Sequence, residues 1–134
     1  MKVVVFDLDG TLVDSIGEIL ASFAATARAF GLPFDEAAVR AQIGRPLLET
    51  FRRLYPGRDP EPLVAFYRDH HLAHLGERAR PYPGVRRALF ALRRAGFPLA
   101  VATTKRTATA RRLLLRVGLL ELFDHVQGTD GDLP

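Results

Sequence analysis

Hydrophobic positions along this chain follow two different periods. Residues 2–7 (Lys-Val-Val-Val-Phe-Asp) form a continuous apolar, β-branched run that stops at an Asp-Gly turn signal. That is the pattern of a strand buried on both faces, as in parallel sheets covered by helices. Residues 99–103 (Leu-Ala-Val-Ala-Thr) read the same way, and residues 125–128 (His-Val-Gln-Gly) predict a third, shorter strand. Between the first two strands the period is helical. Ser15 and Glu18 have the spacing of a capping box. Ile16, Ile19, Leu20, Phe23, Ala27 and Phe30 then share one face until Gly31 and Pro33 end the run. Asp35 predicts the cap of a short helix reaching about Ile43. Leu47, Leu48, Phe51, Leu54 and Tyr55 mark another, and Asp59-Pro60 opens a helix running to about Leu75. No strand is predicted between Asp14 and Ala79. Residues 80–84 (Arg-Pro-Tyr-Pro-Gly) read as a rigid linker. Val85, Leu89 and Leu92 then line a helix closed by Gly96, and a last helix from about Thr107 turns Ala110, Leu113, Leu114 and Val117 inward before Gly118.

The order is strand, helical excursion, helix, strand, helix, short strand. It predicts an α/β fold: a Rossmann-like parallel-sheet core of residues 1–14 and 80–134, with an all-helical cap inserted at 15–79. Right-handed crossovers make the sheet parallel.

Composition narrows the function classes. A chain of 134 residues has room for about one compact domain with an insertion. With 48% hydrophobic and 25% charged residues, disorder is excluded as the main state. No run approaches the ~18 apolar residues of a membrane span, and the stretch Val3–Phe6 is too short for a secretory signal. The absence of cysteine removes disulfides, a thiolate nucleophile and Cys-type zinc sites, so a cytoplasmic address is expected. The net charge of +4 raises a nucleic-acid reading. However, the basic residues are almost all arginines scattered along the chain, with doublets at 52–53, 86–87 and 93–94 on the polar faces of predicted helices. No basic stripe interleaved with aromatics stands behind that reading. The expected partner is a small molecule, neither nucleic acid nor membrane, and a monomer is the default.

In open parallel sheets, ligands sit at the carboxyl ends of the strands. Asp7 closes the first predicted strand, Asp9 lies two residues on, and Thr103 closes the second. Two carboxylates so close have coupled titrations, and a divalent cation or a shared proton relieves them. Asp-Leu-Asp-Gly also fits a plain turn after a strand.

Residues 6–15 (Phe-Asp-Leu-Asp-Gly-Thr-Leu-Val-Asp-Ser) resemble the first motif of the haloacid dehalogenase-like (HAD) hydrolases. The similarity is greatest to the phosphatases of that superfamily, phosphoglycolate phosphatase in particular. Residues 43–46 (Ile-Gly-Arg-Pro), 82–85 (Tyr-Pro-Gly-Val), 101–105 (Val-Ala-Thr-Thr-Lys) and 122–130 occur in family-like order, so the resemblance covers essentially the whole chain. It implies that Asp7 attacks phosphorus and carries an aspartyl-phosphate. Asp9 would protonate the departing alkoxide and then take a proton from water. Gly10 would permit the sharp turn, which Thr11 supports. Thr103 would donate its hydroxyl to a phosphate oxygen, with Thr104 and Lys105 beside it as further phosphate or substrate contacts. Mg²⁺ would bridge the Asp7 carboxylate, the Asp9 backbone carbonyl and the phosphate. The acid/base residue Asp9 speaks against a dehalogenase.

The chain also departs from the family. A third-motif lysine and fourth-motif acidic ligands normally follow the third strand, whereas here Pro134 stands about where a Lys-Pro is expected. Lys2 opens the first strand at the wrong end, and Lys105 is placed as a substrate contact and not as a replacement. Asp130 and Asp132 fall in a loop before the missing residues, which makes them poor metal ligands. One missing unit charge at ~4 Å and an effective dielectric of ~20 is worth about 4 kcal/mol, or roughly three decades of rate. The expectation is therefore a fragment of a longer phosphatase with little turnover of its own. A non-catalytic phosphate-binding or regulatory fragment is the alternative, and a sugar-phosphate mutase relative is another. Such a mutase places a cap arginine where Leu47 and Leu48 stand here. Arg45 reads either as a contact for a substrate anion or as a solvated loop arginine. His70 and His74 lie one helical turn apart, yet no carboxylate completes a ligand set, so His70, His71 and His74 are expected as surface or half-buried cap residues. His125 is read the same way.

Overall fold

The computed structural model describes residues 2–130. In chain order the elements are β1 (Val4–Phe6), β2 (Val13–Asp14), α1 (Ile16–Ala29), α2 (Glu36–Gln42), α3 (Leu47–Leu54), α4 (Pro60–Ala73), β3 (Arg80–Pro81), α5 (Val85–Arg94), β4 (Leu99–Ala102), α6 (Thr107–Arg116) and β5 (His125–Gln127). A short 3-10 turn at Leu120–Leu122, which no periodicity announced, leads into β5.

β1, β4 and β5 form a parallel sheet in that order, with Val4 opposite Leu99 and Val101 opposite Val126. Helices α5 and α6 lie on the crossovers between these strands. Leu89 of α5 and Ala110, Leu113 and Leu114 of α6 join Leu8, Leu99, Val101 and Val126 in one apolar cluster. The mixed helix and parallel-strand architecture is the predicted α/β class. One strand differs from expectation: Val3 and Val5 are 53% and 59% exposed. Val4 and Phe6 turn into the core, while β1 forms one edge of the sheet among the described residues. Its β-branched run is therefore covered on one face only.

A second apolar cluster gathers Ile19 and Phe23 of α1, Val39 of α2, Phe51 of α3 and Leu63, Val64 and Tyr67 of α4. The Phe23 ring lies 4.7 Å from Tyr67 and 5.1 Å from Phe51, centroid to centroid, within the range of favourable aromatic pairs. Asp35 and Asp59 cap α2 and α4 as their sequence positions predict, accepting from Ala38 N–H (3.3 Å) and Glu61 N–H (3.1 Å).

Where the chain leaves and re-enters the region of the sheet, β2 and β3 pair antiparallel, Val13 opposite Pro81 and Asp14 opposite Arg80. The segment read as a rigid linker is thus half of a two-stranded ladder. The capping box at the start of α1 does not form: Ser15 makes no side-chain cap bond. Glu18, 6% exposed, instead accepts from the N–H groups of Gly76, Arg78 and Ala79 at 3.0, 2.7 and 3.0 Å. A buried carboxylate needs several donors, and the returning chain offers three where a cap offers one.

The arginine doublets are exposed, but two of their members are structural. Arg86 donates to the carbonyls of Gly118 and Val117 at the end of α6 (2.8 and 3.2 Å). Arg93 donates to Leu122 O (3.0 Å) and pairs with Asp124. Among the described residues no helix is long and apolar enough to cross a membrane.

Candidate functional site

The turn after β1 is built around Leu8. Its side chain is fully buried, and its carbonyl accepts from Thr11, Leu12 and Val13 N–H at 3.3, 3.0 and 3.2 Å. Alternation along an extended chain then sends the two flanking carboxylates the other way. Asp7 is exposed, with Oδ1 accepting from the Leu8 N–H at 2.8 Å. Gly10 makes the reversal at φ +78°, a left-handed conformation that other residues rarely adopt, and donates to Val13 O at 2.9 Å. Gly10 and Thr11 both spend their N–H groups inside the turn, and neither lines the cavity described below. Both residues shape the turn.

Asp9 is held from two sides. Its Oδ1 accepts from Ser15 Oγ at 2.5 Å, and its Oδ2 lies 3.0 Å from Lys105 Nζ; the lysine and aspartate side chains are only 10% and 14% exposed. Ser15, read from sequence as a helix cap, thus orients a site carboxylate. Thr103 donates its N–H to Gln127 O (3.0 Å), and its Oγ1 accepts from Lys105 N–H (3.2 Å), which leaves the hydroxyl proton for a ligand. The loop carrying Lys105 is pinned from β5. A Cβ on Gly128 would stand 2.4 Å from both Lys105 O and Thr107 N, so only glycine fits there. Thr129 N–H donates to Lys105 O at 2.7 Å. Asp130 engages Thr107 with both oxygens (2.8 Å to N, 2.7 Å to Oγ1), and that hydroxyl bond holds its carboxyl below the usual range. Asp132 lies outside the described residues.

These groups open onto a cavity of about 540 Å³. Asp7, Asp9, Thr103, Thr104 and Lys105 line it from the strand ends. Leu47, Leu48, Tyr67 and His71 line it from helices α3 and α4, and Arg45 from the loop between α2 and α3. Arg45 also pairs with Glu49 at 3.6 Å. Sequence reasoning missed Gln42, Arg68, Arg106 and Arg112 as further lining residues; of these only Arg106 carried a signal, its place directly after Lys105. Burial, and next the Arg106 guanidinium, lower Arg68 from its ordinary value. Arginines on facing elements therefore make this side of the cavity electropositive.

The three helical histidines separate. His74 is exposed and pairs with Glu77 at 3.1 Å, and His70 is half-buried with Nδ1 2.9 Å from Ser22 Oγ. His71, expected at the surface or half-buried, is 5% exposed. It stacks on Tyr67 (centroids 5.5 Å apart), because its position on α4 faces the apolar side of that helix. Burial, and then the Lys105 charge, push its imidazole down to about 3, so it is neutral at ordinary pH. His125 is exposed at the start of β5. Among the described residues no group of three or more His, Cys, Asp or Glu side chains forms a metal cage.

Comparison with known proteins agrees with this geometry. The profile described as haloacid dehalogenase-like hydrolase matches residues 4–131. The chain is 39% identical over 132 residues to the pyrophosphatase PpaX of Halalkalibacterium halodurans, covering 97% of this chain and 60% of that one. It is 32% identical over 136 residues to the phosphoglycolate phosphatase of Mesorhizobium japonicum, covering 96% and 60%. Among solved structures, a haloacid dehalogenase-like family hydrolase from Streptococcus pneumoniae superposes with a TM-score of 0.89 at 30% identity, over 100% of this chain and 64% of that one. The chain thus spans about 60% of the length of these curated relatives. A match along nearly its whole length, on a strand-end pair of aspartates and the parallel sheet that carries them, makes this chain a member of the haloacid dehalogenase-like hydrolases.

Proposed function

We propose that the cavity takes a small anionic phosphate monoester, phosphoglycolate-like in size, and that the complete site hydrolyses it with Mg²⁺ through an aspartyl-phosphate on Asp7. In this reading residues 1–14 and 80–134 form the catalytic core and residues 15–79 a helical cap over it. The observation that carries the proposal is the convergence of Asp7, Asp9, Thr103 and Lys105 on one cavity.

The donor set suits magnesium. The Asp7 carboxylate is exposed and uses only Oδ1 within the described residues, and no described hydrogen bond reaches the Asp9 carbonyl. One carboxylate, one carbonyl and a substrate phosphate, with water completing the shell, match the preference of this ion better than an all-protein cage. When bound, the ion supplies Lewis-acid neutralisation of the phosphate charge.

The residues divide the chemistry. Asp7 forms a bond to phosphorus as the ester oxygen departs, and Asp9 delivers a proton to that alkoxide. Asp9 then removes a proton from water, which attacks phosphorus and releases phosphate and the Asp7 carboxylate. Ser15 holds Asp9 in place, Thr103 donates to a phosphate oxygen, and Lys105 keeps a positive charge beside the reacting groups. Leu47 and Leu48 line the cavity where a mutase-type arginine would stand, which favours hydrolysis. The test is Asp7→Asn with Mg²⁺ and p-nitrophenyl phosphate, in whichever form turns the ester over, this chain or a longer product of its gene. Loss of at least about three decades of rate with an unchanged circular dichroism spectrum is expected, and unchanged turnover refutes the nucleophile.

A further inference from the structure

Among the described residues two buried side-chain polar atoms have no hydrogen-bond partner, His71 Nε2 and Gln42 Oε1, and both residues line the site cavity. Native proteins leave few such atoms, because each costs desolvation with nothing returned. Their coincidence in one cavity marks a place where a polar ligand completes the set. Ser22 Oγ lies 2.9 Å from His70 Nδ1 and 3.5 Å from His71 Nδ1. With Nδ1 of His71 turned to the serine and its ring stacked on Tyr67, Nε2 is the nitrogen left over. The same cavity holds Asp9, Thr103 and Lys105, which the proposed function assigns to the phosphoryl end.

We propose that His71 is a specificity-determining residue whose Nε2, together with the Gln42 amide, hydrogen-bonds an oxygen function on the organic part of the phosphate ester. The inference rests on the phosphatase reading above and deepens it. The His71 Nε2 can donate to a hydroxyl or a carboxylate oxygen, whereas Gln42 Oε1 is an acceptor that only a hydroxyl proton meets; a plain alkyl ester leaves both unpaired. Sites built to hydrogen-bond a substrate oxygen reject analogues that lack it for that reason. An ordered water is the competing occupant, and it would be indifferent to the ester's substituent.

The test is a long-range proton–nitrogen NMR titration of the ¹⁵N-labelled chain with Mg²⁺ and three probes: glycerol 3-phosphate, 2-phosphoglycolate and ethyl phosphate. All three are expected to shift the Thr103 and Lys105 amides, and only the first two to shift His71 Nε2. A shift with glycerol 3-phosphate alone assigns a hydroxyl, and one with 2-phosphoglycolate alone a carboxylate. His71→Phe is expected to weaken binding of the shifting probe about tenfold or more while sparing ethyl phosphate, and His71→Gln to restore it. Equal Nε2 shifts with all three probes, or none, beside normal shifts at Thr103 and Lys105 overturn this inference alone. No shift at Thr103, Lys105 or His71 with any probe overturns the phosphatase reading and this one with it.

Discussion

Glu18 links two segments far apart in sequence, a role its place in the first turn of α1 does not reveal. Three backbone N–H groups of the returning chain converge on its buried carboxylate, and hydrogen bonds to a charged acceptor are the stronger kind. Glu18→Ala leaves those donors unpaired and is expected to lower the unfolding free energy by about 3 kcal/mol, read from urea titration; a loss under about 0.5 kcal/mol, the range of surface changes, refutes it. Gly128→Ala is a second residue-scale test. The new methyl would meet backbone at 2.4 Å, so the Lys105 loop must shift. The expected result is lost phosphate binding, measured by calorimetry with inorganic phosphate, together with a lower melting temperature; intact binding counts against it. Asp7, Asp9 and Thr103 were legible in the sequence because strand ends and turn chemistry are local. Ser15 and Glu18 were misread because the spacing of a capping box is local, whereas the partners that outbid it lie 6 and about 60 residues away.

At the scale of elements, helices and strands followed the periodicity closely, because period 3.6 and short β-branched runs both mark regular elements locally. The β2–β3 ladder escaped notice since each strand has only two residues, too few for any period to register. The exposure of Val5 escaped for another reason: an apolar run records the cover a strand is suited to, while the cover itself is tertiary. The contrast between strands is testable. Val5→Thr, on the open face of β1, is expected to change stability by no more than about 0.5 kcal/mol. Val101→Thr, 1% exposed in β4, buries a hydroxyl and is expected to cost about 1–3 kcal/mol. Matching denaturation midpoints for the two variants contradict the assignment of faces.

For the molecule as a whole, the buried imidazole ties stability to acidity. Folding holds His71 near 3 against 6.5 for the free side chain. Between those values the unfolded chain binds the extra proton, so this group's contribution is complete above about pH 6.5 and declines as pH falls toward 3. The slope is up to about 1.4 kcal/mol per pH unit. Urea midpoints across about pH 4 to 7 are expected to fall less steeply on acidification in His71→Gln than in the parent; parallel curves reject the assignment.

The paired segments at 13–14 and 80–81 are where the backbone passes between the helical stretch and the sheet, with Glu18 fastening the returning strand just upstream. Swinging of α1–α4 against the strand ends has to be absorbed in that narrow ribbon, either as twist or as a broken carboxylate clasp. Because the cavity takes its walls from both sides, the stiffness of that ribbon would limit how far its mouth could widen if the two sides moved apart.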